Sequence, residues 1–436
     1  MDTTVNSYSN ELLIDNFSKA VCEINKGRKQ TKSRFVGILE YVLFFLVIIE
    51  FNTAYSEYKS LSKYLFYGTV FLCLLLLLYS KRPVRLEGIL IVYFFGSFLP
   101  LFNVYPGAEK QYIKLYWVIL PLFMLYFISL RRVSFDRISS FLIKYSNIVT
   151  ILALISLIYW VLGSNLELIQ PTMFVPNSWK GDGVSLIPTY HFIYFETQQS
   201  SFMGYETVRN SGIFNEGPMY NMILCVALSM ELFLRPRKSL WRIIVLAITI
   251  VTTFTTTGFF FLTFAGAWIV FKFFSQKGRF LLLTILPLLV IGVMNFSESV
   301  VEDKESSSGE GSLRSRTTDI LTCIEIGMDN PLLGQGLFTK KAAEAEGGTY
   351  GYSNSLFTLF ADGGLYTVFL YVAALVLIPF RTLQGKHQKL WSLMMLSFFL
   401  VFTITVSHFK FFTLLFVAFG CAMLKKEEVP KKQINE

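Results

Sequence analysis

The residues best equipped for chemistry lie in three short stretches of this 436-residue chain. The first is RNSGIFNEGP, Arg209 to Pro218. It places a guanidinium, Arg209, and a carboxylate, Glu216, around a turn. Gly212 and Gly217 allow positive φ or close backbone approach, and Pro218 suits the first turn of a following helix. The second runs from Ser312 to Asp329. Ser312 can cap a helix there, and Asn330-Pro331 ends it. Leu313, Ile320, Leu321 and Ile324 form one apolar stripe at helical spacing, with Arg314 and Arg316 on opposite shoulders. Gly327 falls three turns after Arg316 and nearly in line with it. The third is NPLLGQG, residues 330–336, followed by YGYSNSLFTLFADGGLYTVF from Tyr350. Gly334 and Gly336 mark a tight turn, Asn354 and Ser355 can cap a helix, and Asp362-Gly363-Gly364 interrupts it one to two turns in. A guanidinium fork pairs two phosphate oxygens and keeps its charge at any physiological pH. A carboxylate can take a proton. Taken singly, each stretch also has a plain structural reading: a snorkelling arginine, a capped helix, a packing notch.

These stretches must be held by membrane helices. Hydrophobic residues make up 53% of the chain and charged residues only 16%, against about a quarter charged in soluble proteins. The apolar residues gather in blocks of about 17–25, each long enough to cross the hydrocarbon core as a helix. The blocks lack the alternation of a barrel, so the expected fold class is all-α, a polytopic membrane protein. Twelve spans are expected, near 35–51, 62–79, 86–104, 112–130, 141–163, 218–234, 240–256, 258–275, 280–297, 355–380, 389–407 and 409–424. They form one unit, 35–424, between an N-terminal tail, 1–34, and a C-terminal tail, 425–436. In the first tail Leu13, Phe17, Val21 and Ile24 recur at helical spacing, as in a short helix lying on the membrane surface.

Charge orients the spans. Of 39 Lys and Arg, 27 fall on the side of the two tails, which makes that side cytoplasmic. The net charge of +9 is therefore a topology signal, and nucleic acid is not needed to explain it. Two long loops, 164–217 and 298–354, fall outside, and all three chemical stretches lie in them or at their edges. Loops of such length are usually functional or disordered. Charges deep in spans are few: Glu87, Lys114, Lys144, Glu231 and Lys272 sit near span ends, and Glu40 and Asp362 lie deeper and alone. That is poor equipment for ion-coupled transport. Of the five cysteines only Cys323 lies in an outer loop, so no intrachain disulfide is expected there. His191, His387 and His408 have no ligand-like spacing to any Cys, and no metal site is expected.

In order, spacing and sidedness the three stretches resemble the O-antigen polymerase and O-antigen ligase superfamily, over roughly residues 205–380. Arg209, Ser211, Gly212, Phe214, Glu216 and Pro218 match its first segment, with Gly217 inserted. Arg316, Asn330, Pro331, Leu332, Leu333, Gly334, Gly336, Asn354, Ser355, Asp362 and Gly363 match the rest, and Arg316 with Gly327 fits the Arg-ten residues-Gly motif of polymerase outer loops. The resemblance implies a GT-C-like glycosyltransferase membrane domain in a bacterial inner membrane. It implies an undecaprenyl-pyrophosphate-linked oligosaccharide as substrate, with a chain-length regulator and a flippase as partners and no cofactor. Arg209, Arg314 and Arg316 would then bind pyrophosphate. Glu216 is the first choice for the base, and His191 the second. Ligases carry a His before the Asn of the span-ten start; Ser353 stands there here, which favours polymerase over ligase. A flippase, which needs no catalytic site, is the reading from another class.

The sidedness is open to test. A cysteine placed at Ser307 is expected to react with an impermeant reagent on intact spheroplasts. Labelling only after lysis would overturn the orientation.

Overall fold

The computed structural model describes residues 34–55, 59–80, 93, 98–131, 135–176, 186–202, 205–273, 311–339, 354–381 and 386–423. The amphipathic stretch at 13–24, most of the third expected span and all of the ninth lie outside the described residues.

The described chain is mostly helical. Helix α1 covers 34–50 and α2 Lys59–Ser80. Helix α3 is one rod made of Glu109–Tyr112, the π-helical Ile113–Ile119 and Leu120–Arg131. Helix α4, Phe135–Tyr159, runs on into the π-helical Trp160–Asn165. Then come α5 (Gly217–Phe233), α6 (Leu240–Thr252), α7 (Thr256–Phe273) and α8 (Gly311–Asp329). Helices α9 (Leu356–Val372), α10 (Lys386–Ile404) and α11 (Phe411–Ala422) complete the set. Among the described residues four stretches can cross a membrane by length and composition: Ser60–Tyr79, Glu109–Leu130, Asp136–Asn165 and Ser355–Arg381. Shorter apolar helices stand at Gly217–Phe233, Leu240–Thr252, Thr256–Ile269, Lys389–Ile404 and Phe411–Ala422. The count of twelve stays a reading of the sequence.

Helix α11 is the hub: every residue from Phe411 to Ala422 is buried. Its aromatic face builds a ladder, with Phe416 4.1 Å from Phe398, and Phe412 5.2 Å from Tyr145 and 5.3 Å from Phe51. Such pairs add about 0.5–1.5 kcal/mol each beyond area burial. Without a water-driven hydrophobic effect between helices in lipid, close approach through small residues and shape carries the packing.

Two expectations need correction. The fold, first, is not purely α. Part of the first long loop forms a three-stranded antiparallel sheet, β1 (Met173–Pro176), β2 (Leu186–Tyr190) and β3 (Tyr194–Phe195), in that order. A hairpin, β4 (Gln199–Phe202) with β5 (Tyr205–Val208), follows. Within LIPTY, Ile187, Thr189 and Tyr190 are buried, and aromatic or β-branched side chains suit such a surface. Tyr190 and Tyr194 then pack 5.6 Å and 6.2 Å from Tyr159 at the end of α4. Glu40, secondly, does not stand alone. Fully buried, it accepts from Arg137 and Tyr126 and from Lys144 at 2.6 Å. Glu231 likewise pairs with Arg235 at 2.5 Å and accepts from Ser146 at 2.6 Å. A buried charge survives only when partnered in this way.

Gly420 of α11 faces the Ala374 carbonyl so closely that a Cβ there would fall inside its van der Waals shell. At Gly266 of α7 a Cβ would have open space for 4 Å around it. Gly420→Ala is therefore expected to cost about 1–3 kcal/mol or more by overpacking, and Gly266→Ala to be neutral. Thermal unfolding of the two variants in detergent checks this; equal Tm values would refute the close crossing.

Candidate functional site

Four segments meet at the loop-bearing end of the bundle. The first, Arg209–Pro218, is held almost entirely by its backbone and short polar side chains. Buried Asn210 donates from its backbone N–H to the Thr252 carbonyl (3.0 Å) and from Nδ2 to Thr252 Oγ1 (3.1 Å). Ser211 Oγ donates to the Phe195 carbonyl at 3.0 Å. Gly212 takes φ 56°, and a Cβ there would stand 3.0 Å from the Tyr220 ring, which itself stacks on Phe214 at 5.1 Å. This is why a glycine is required at that turn.

The Arg209 stem packs against Gly217, the residue after Glu216. The Arg209 N–H donates to the Gln198 carbonyl (2.9 Å), and Gln198 Oε1 accepts from the Gly217 N–H (3.2 Å). A Cβ on Gly217 would meet the Thr253 carbonyl at 3.0 Å and Arg209 Cδ at 3.6 Å. The residue inserted between Glu216 and Pro218 thus gives the arginine stem a smooth platform. Glu216 is the half-buried N-cap residue of α5, and its side chain is not used for capping. Pro218 lies in the first turn, as its spacing predicts. His191 is placed elsewhere. It sits exposed on the β2–β3 turn at φ 49°, its N–H donating to Thr172 Oγ1 (2.8 Å) and its ring 6.4 Å from Tyr159. No described contact joins it to Arg209 or Glu216.

Helix α8 carries Arg314 and Arg316 near its start. From Thr317 on, its buried positions are Asp319, Cys323 and Gly327, one turn apart. Leu321 is 61% exposed, so the packed face is rotated away from the apolar stripe expected from sequence. The reason is Gly327: a Cβ there would strike the Phe360 ring at 2.5 Å, so α8 lies against α9 along its smallest residues.

The third segment explains its own motif. Helix α9 breaks at Gly364, φ 61° and ψ −172°. The backbone groups released by the break pair with NPLLGQG. Leu365 N–H donates to the Pro331 carbonyl (2.8 Å), and Tyr366 N–H to that of Leu332 (3.1 Å). In return Gln335 N–H donates to the Ala361 carbonyl, and Gly336 N–H to that of Asp362, both at 2.9 Å. The two backbones touch. A Cβ on Gly334 would stand 2.5 Å from the Asp362 carbonyl, and one on Gly364 would collide with Leu332. Gly334 (φ 71°) and Gly336 (φ 119°) also need positive φ. The Asp362 side chain is buried in this clasp, facing the Phe338 N–H.

The fourth segment is the turn between α10 and α11. Asn354 Oδ1 accepts the Phe357 N–H (2.9 Å) and caps α9, as expected. Ser355 Oγ instead bridges to the Thr405 carbonyl and accepts the Ser407 N–H (2.8 Å). Tyr371 donates to the His408 carbonyl (2.7 Å), so in the Tyr116–Tyr371 bond (2.7 Å) Tyr116 is the donor. Burial first, and the Lys410 charge second, hold the His408 imidazole down at about 3, hence neutral at physiological pH.

The end of α1 joins these segments. Asn52 and Ala54 pair with Asn215 and Ile213 through backbone bonds of 3.0 Å, and Glu50 Oε2 accepts the Phe411 N–H at 2.9 Å. Sequence alone gives Glu50, Lys114, His408 and Lys410 no role in a site. Each sits at a span end, where a polar group normally reads as an anchor, and only the tertiary pairing sets them apart.

No curated protein and no solved structure matches the chain. Residues 241–372 match the family model described as O-antigen ligase, a stretch covering α6, α7, α8 and the clasp up to the end of α9. That family implies glycosyltransferase-like activity on lipid-linked glycans in a membrane. The match spans part of the chain and supports the likeness to the O-antigen polymerase and ligase superfamily.

Proposed function

We propose that the chain is a polysaccharide polymerase acting at the outer face of a bacterial inner membrane, with both termini cytoplasmic. It would transfer a growing glycan from undecaprenyl pyrophosphate onto a lipid-linked repeat unit, for O-antigen, capsule or exopolysaccharide. A chain-length regulator and a flippase would be its partners. The observation that carries the reading is the packing of the Arg209 stem 3.6 Å from the Cβ position of Gly217, next in the chain to Glu216, within a loop that carries the superfamily's residue pattern. Ser353, in place of the ligase His, supports polymerase over ligase.

The chemistry is an inverting displacement. The acceptor oxygen bonds to the anomeric carbon as the bond to pyrophosphate breaks, and the pyrophosphate leaves with the electron pair. Arg209, Arg314 and Arg316 stabilise that developing charge, and Glu216 takes the hydroxyl proton. The place of Glu216 in the chain, next to the Gly217 that packs against the Arg209 stem, supports it over His191 as base. Gly212, Pro218, Gly327, Pro331, Gly334, Gly336, Asn354 and Asp362 serve the scaffold. Purified protein in liposomes without an ion gradient should elongate lipid-linked glycan. Transfer to a non-polyprenyl acceptor alone would make it a ligase, and glycan movement without elongation a flippase.

Arg209→Ala and Arg316→Ala should each abolish polymer growth while the protein still inserts, a loss of about 3–4 kcal/mol of transition-state stabilisation by analogy with an oxyanion donor. Lysine at either position should rescue only in part, because it lacks the fork. Near-normal polymer in either alanine variant would return the arginines to a membrane-anchoring role.

With arginines neutralising the leaving group, elongation should persist in excess EDTA. Hard cations need several oxygen ligands, and the acidic run Glu298, Glu302, Asp303 and Glu305, outside the described residues, reads as solvated charge. Loss of the glycan ladder in EDTA, restored by Mg²⁺ or Mn²⁺, would overturn the arginine-only account.

A further inference from the structure

Lysines at a membrane-helix end ordinarily snorkel to water. Two lysines at the loop-bearing end depart from that pattern. Lys114 is the second residue of the π-helical stretch of α3, and Lys410 is the N-cap residue of α11. Both are half-buried. The Lys114 ammonium is held 4.8 Å from the centre of the Phe66 ring and 5.9 Å from that of Phe411. Glu50, Lys114 and Lys410 interact electrostatically, with the Glu50 carboxylate committed to the Phe411 N–H. Among the described residues, however, no carboxylate lies within 4.0 Å of either ammonium, and neither donates a hydrogen bond.

The lysines at the opposite end behave differently. Lys144 Nζ is 2.6 Å from Glu40, and Lys238 Nζ donates to three carbonyls at 3.1, 2.6 and 2.8 Å. The same chain saturates its buried ammonium groups where the role is structural. At the loop end it leaves two like charges close together with six N–H donors to spare. Partial burial without acceptors is costly, and the Glu50 carboxylate, whose charge acts on Lys114 more strongly than that of Lys410, offsets only the repulsion. An arriving dianion would supply the acceptors the two ammonium groups lack.

We propose that Lys114 and Lys410 bind the diphosphate of a second lipid-linked substrate, the acceptor. This rests on the polymerase reading, in which both substrates carry a diphosphate. Three observations shape it. The pair lies across the end of α1 from Arg209: Glu50 faces Phe411, and Asn52–Ala54 face Ile213–Asn215. One cationic, anion-binding anchor therefore stands on each side of that joint. The walls beside Lys114 are aromatic, and Phe66 adjoins Tyr67 of α2 at 5.3 Å. Tyr64, Tyr67 and Phe71 continue along α2 as an exposed apolar surface, 73%, 67% and 62% exposed, fit for a lipid tail. A compact ammonium on a flexible stem also suits an anion that must be released each cycle, where an arginine fork would hold it in a fixed geometry.

The test uses full-length protein in nanodiscs, with farnesyl diphosphate as the probe and calorimetry as the readout. Wild type should bind two equivalents. The Lys114→Met, Lys410→Met double variant should bind one, with affinity at the lost site down at least 100-fold, and Lys114→Arg with Lys410→Arg should restore the second. Arg209→Ala should lose the other equivalent. The single Lys410→Met variant, altered only in a turn, guards against misfolding and should weaken one site at unchanged Tm. An unchanged count of two in the double variant would overturn the proposal. So would equal competition by inorganic phosphate, which would remove the role of the lipid tail. So would loss of phosphatidylglycerol binding from vesicles with the diphosphate count intact, which would make this a phospholipid site. Because binding is read without turnover, a protein that drops from two equivalents to one yet never elongates glycan would refute the polymerase reading and leave the lysine site standing.

Discussion

Backbone groups freed inside a membrane have no water to turn to, and each left unpaired costs several kcal/mol. Helix α9 breaks at Gly364 and must still pair the N–H and carbonyl groups around the break. It does so by exchanging two bonds in each direction with residues 331–336. Everything around that exchange follows. The glycines at 334 and 364 are fixed by backbone contact, and the small face of α8 is needed because Gly327 brings Phe360 close. Leu337 continues the pattern by donating to the Asn103 carbonyl (2.7 Å) and accepting from Tyr105 (2.8 Å). A motif that reads as a loop is in fact the second strand of a two-strand repair of one helix.

The same logic applies at the end of α1. Just past its last turn the Asn52 carbonyl accepts from the Asn215 N–H, and the Ala54 N–H donates to the Ile213 carbonyl, both within the 209–218 loop's pairing with α1. Phe51 packs 6.5 Å from Phe214 and 5.3 Å from Phe412, so one aromatic side chain ties that loop to the hub helix. The guanidinium of Arg209 is thereby mounted on a loop whose backbone is bonded on both of its sides, to Gln198 and to Thr252. A group expected to stabilise charge in a transition state benefits from such a mount, since it costs no reorganisation at the moment of reaction.

How far the sequence can be read depends on whether a feature is local. The caps and breaks are legible: Asn354, Pro218, the positive φ of Gly212, the interruption at Asp362-Gly363-Gly364, and the end of α8 before Asn330-Pro331 all follow from short-range rules. The small sheets in residues 173–208 escape such a reading because strands of two to five residues carry little periodic signal inside an aromatic-rich loop. The packed face of α8 escapes it because the apolar stripe points one way, and contact of glycine with an aromatic ring pulls the helix another. Glu40 looks solitary in sequence because its partners, Arg137 and Lys144, lie 97 and 104 residues away, both on α4. Pairing across helices leaves no trace in spacing along the chain.

The distribution of paired and unpaired charge separates scaffold from site. At the basic end the buried carboxylates Glu40 and Glu231 are each closed by at least two donors. Asn147 Oδ1 even accepts from Arg235 at 2.6 Å and from Arg242 at 2.5 Å, while its Nδ2 reaches Tyr41 at 2.8 Å. Such networks rigidify a bundle because removing any member strands the others. At the loop end the Lys114 ammonium rests on aromatic rings instead. A low-dielectric bundle tolerates open charge only where another charged molecule completes it. The loop end, with Lys114 and Lys410 half-buried and given no acceptor among the described residues, is therefore built as half of a complex, and a lipid-borne anion is the half that a membrane can deliver.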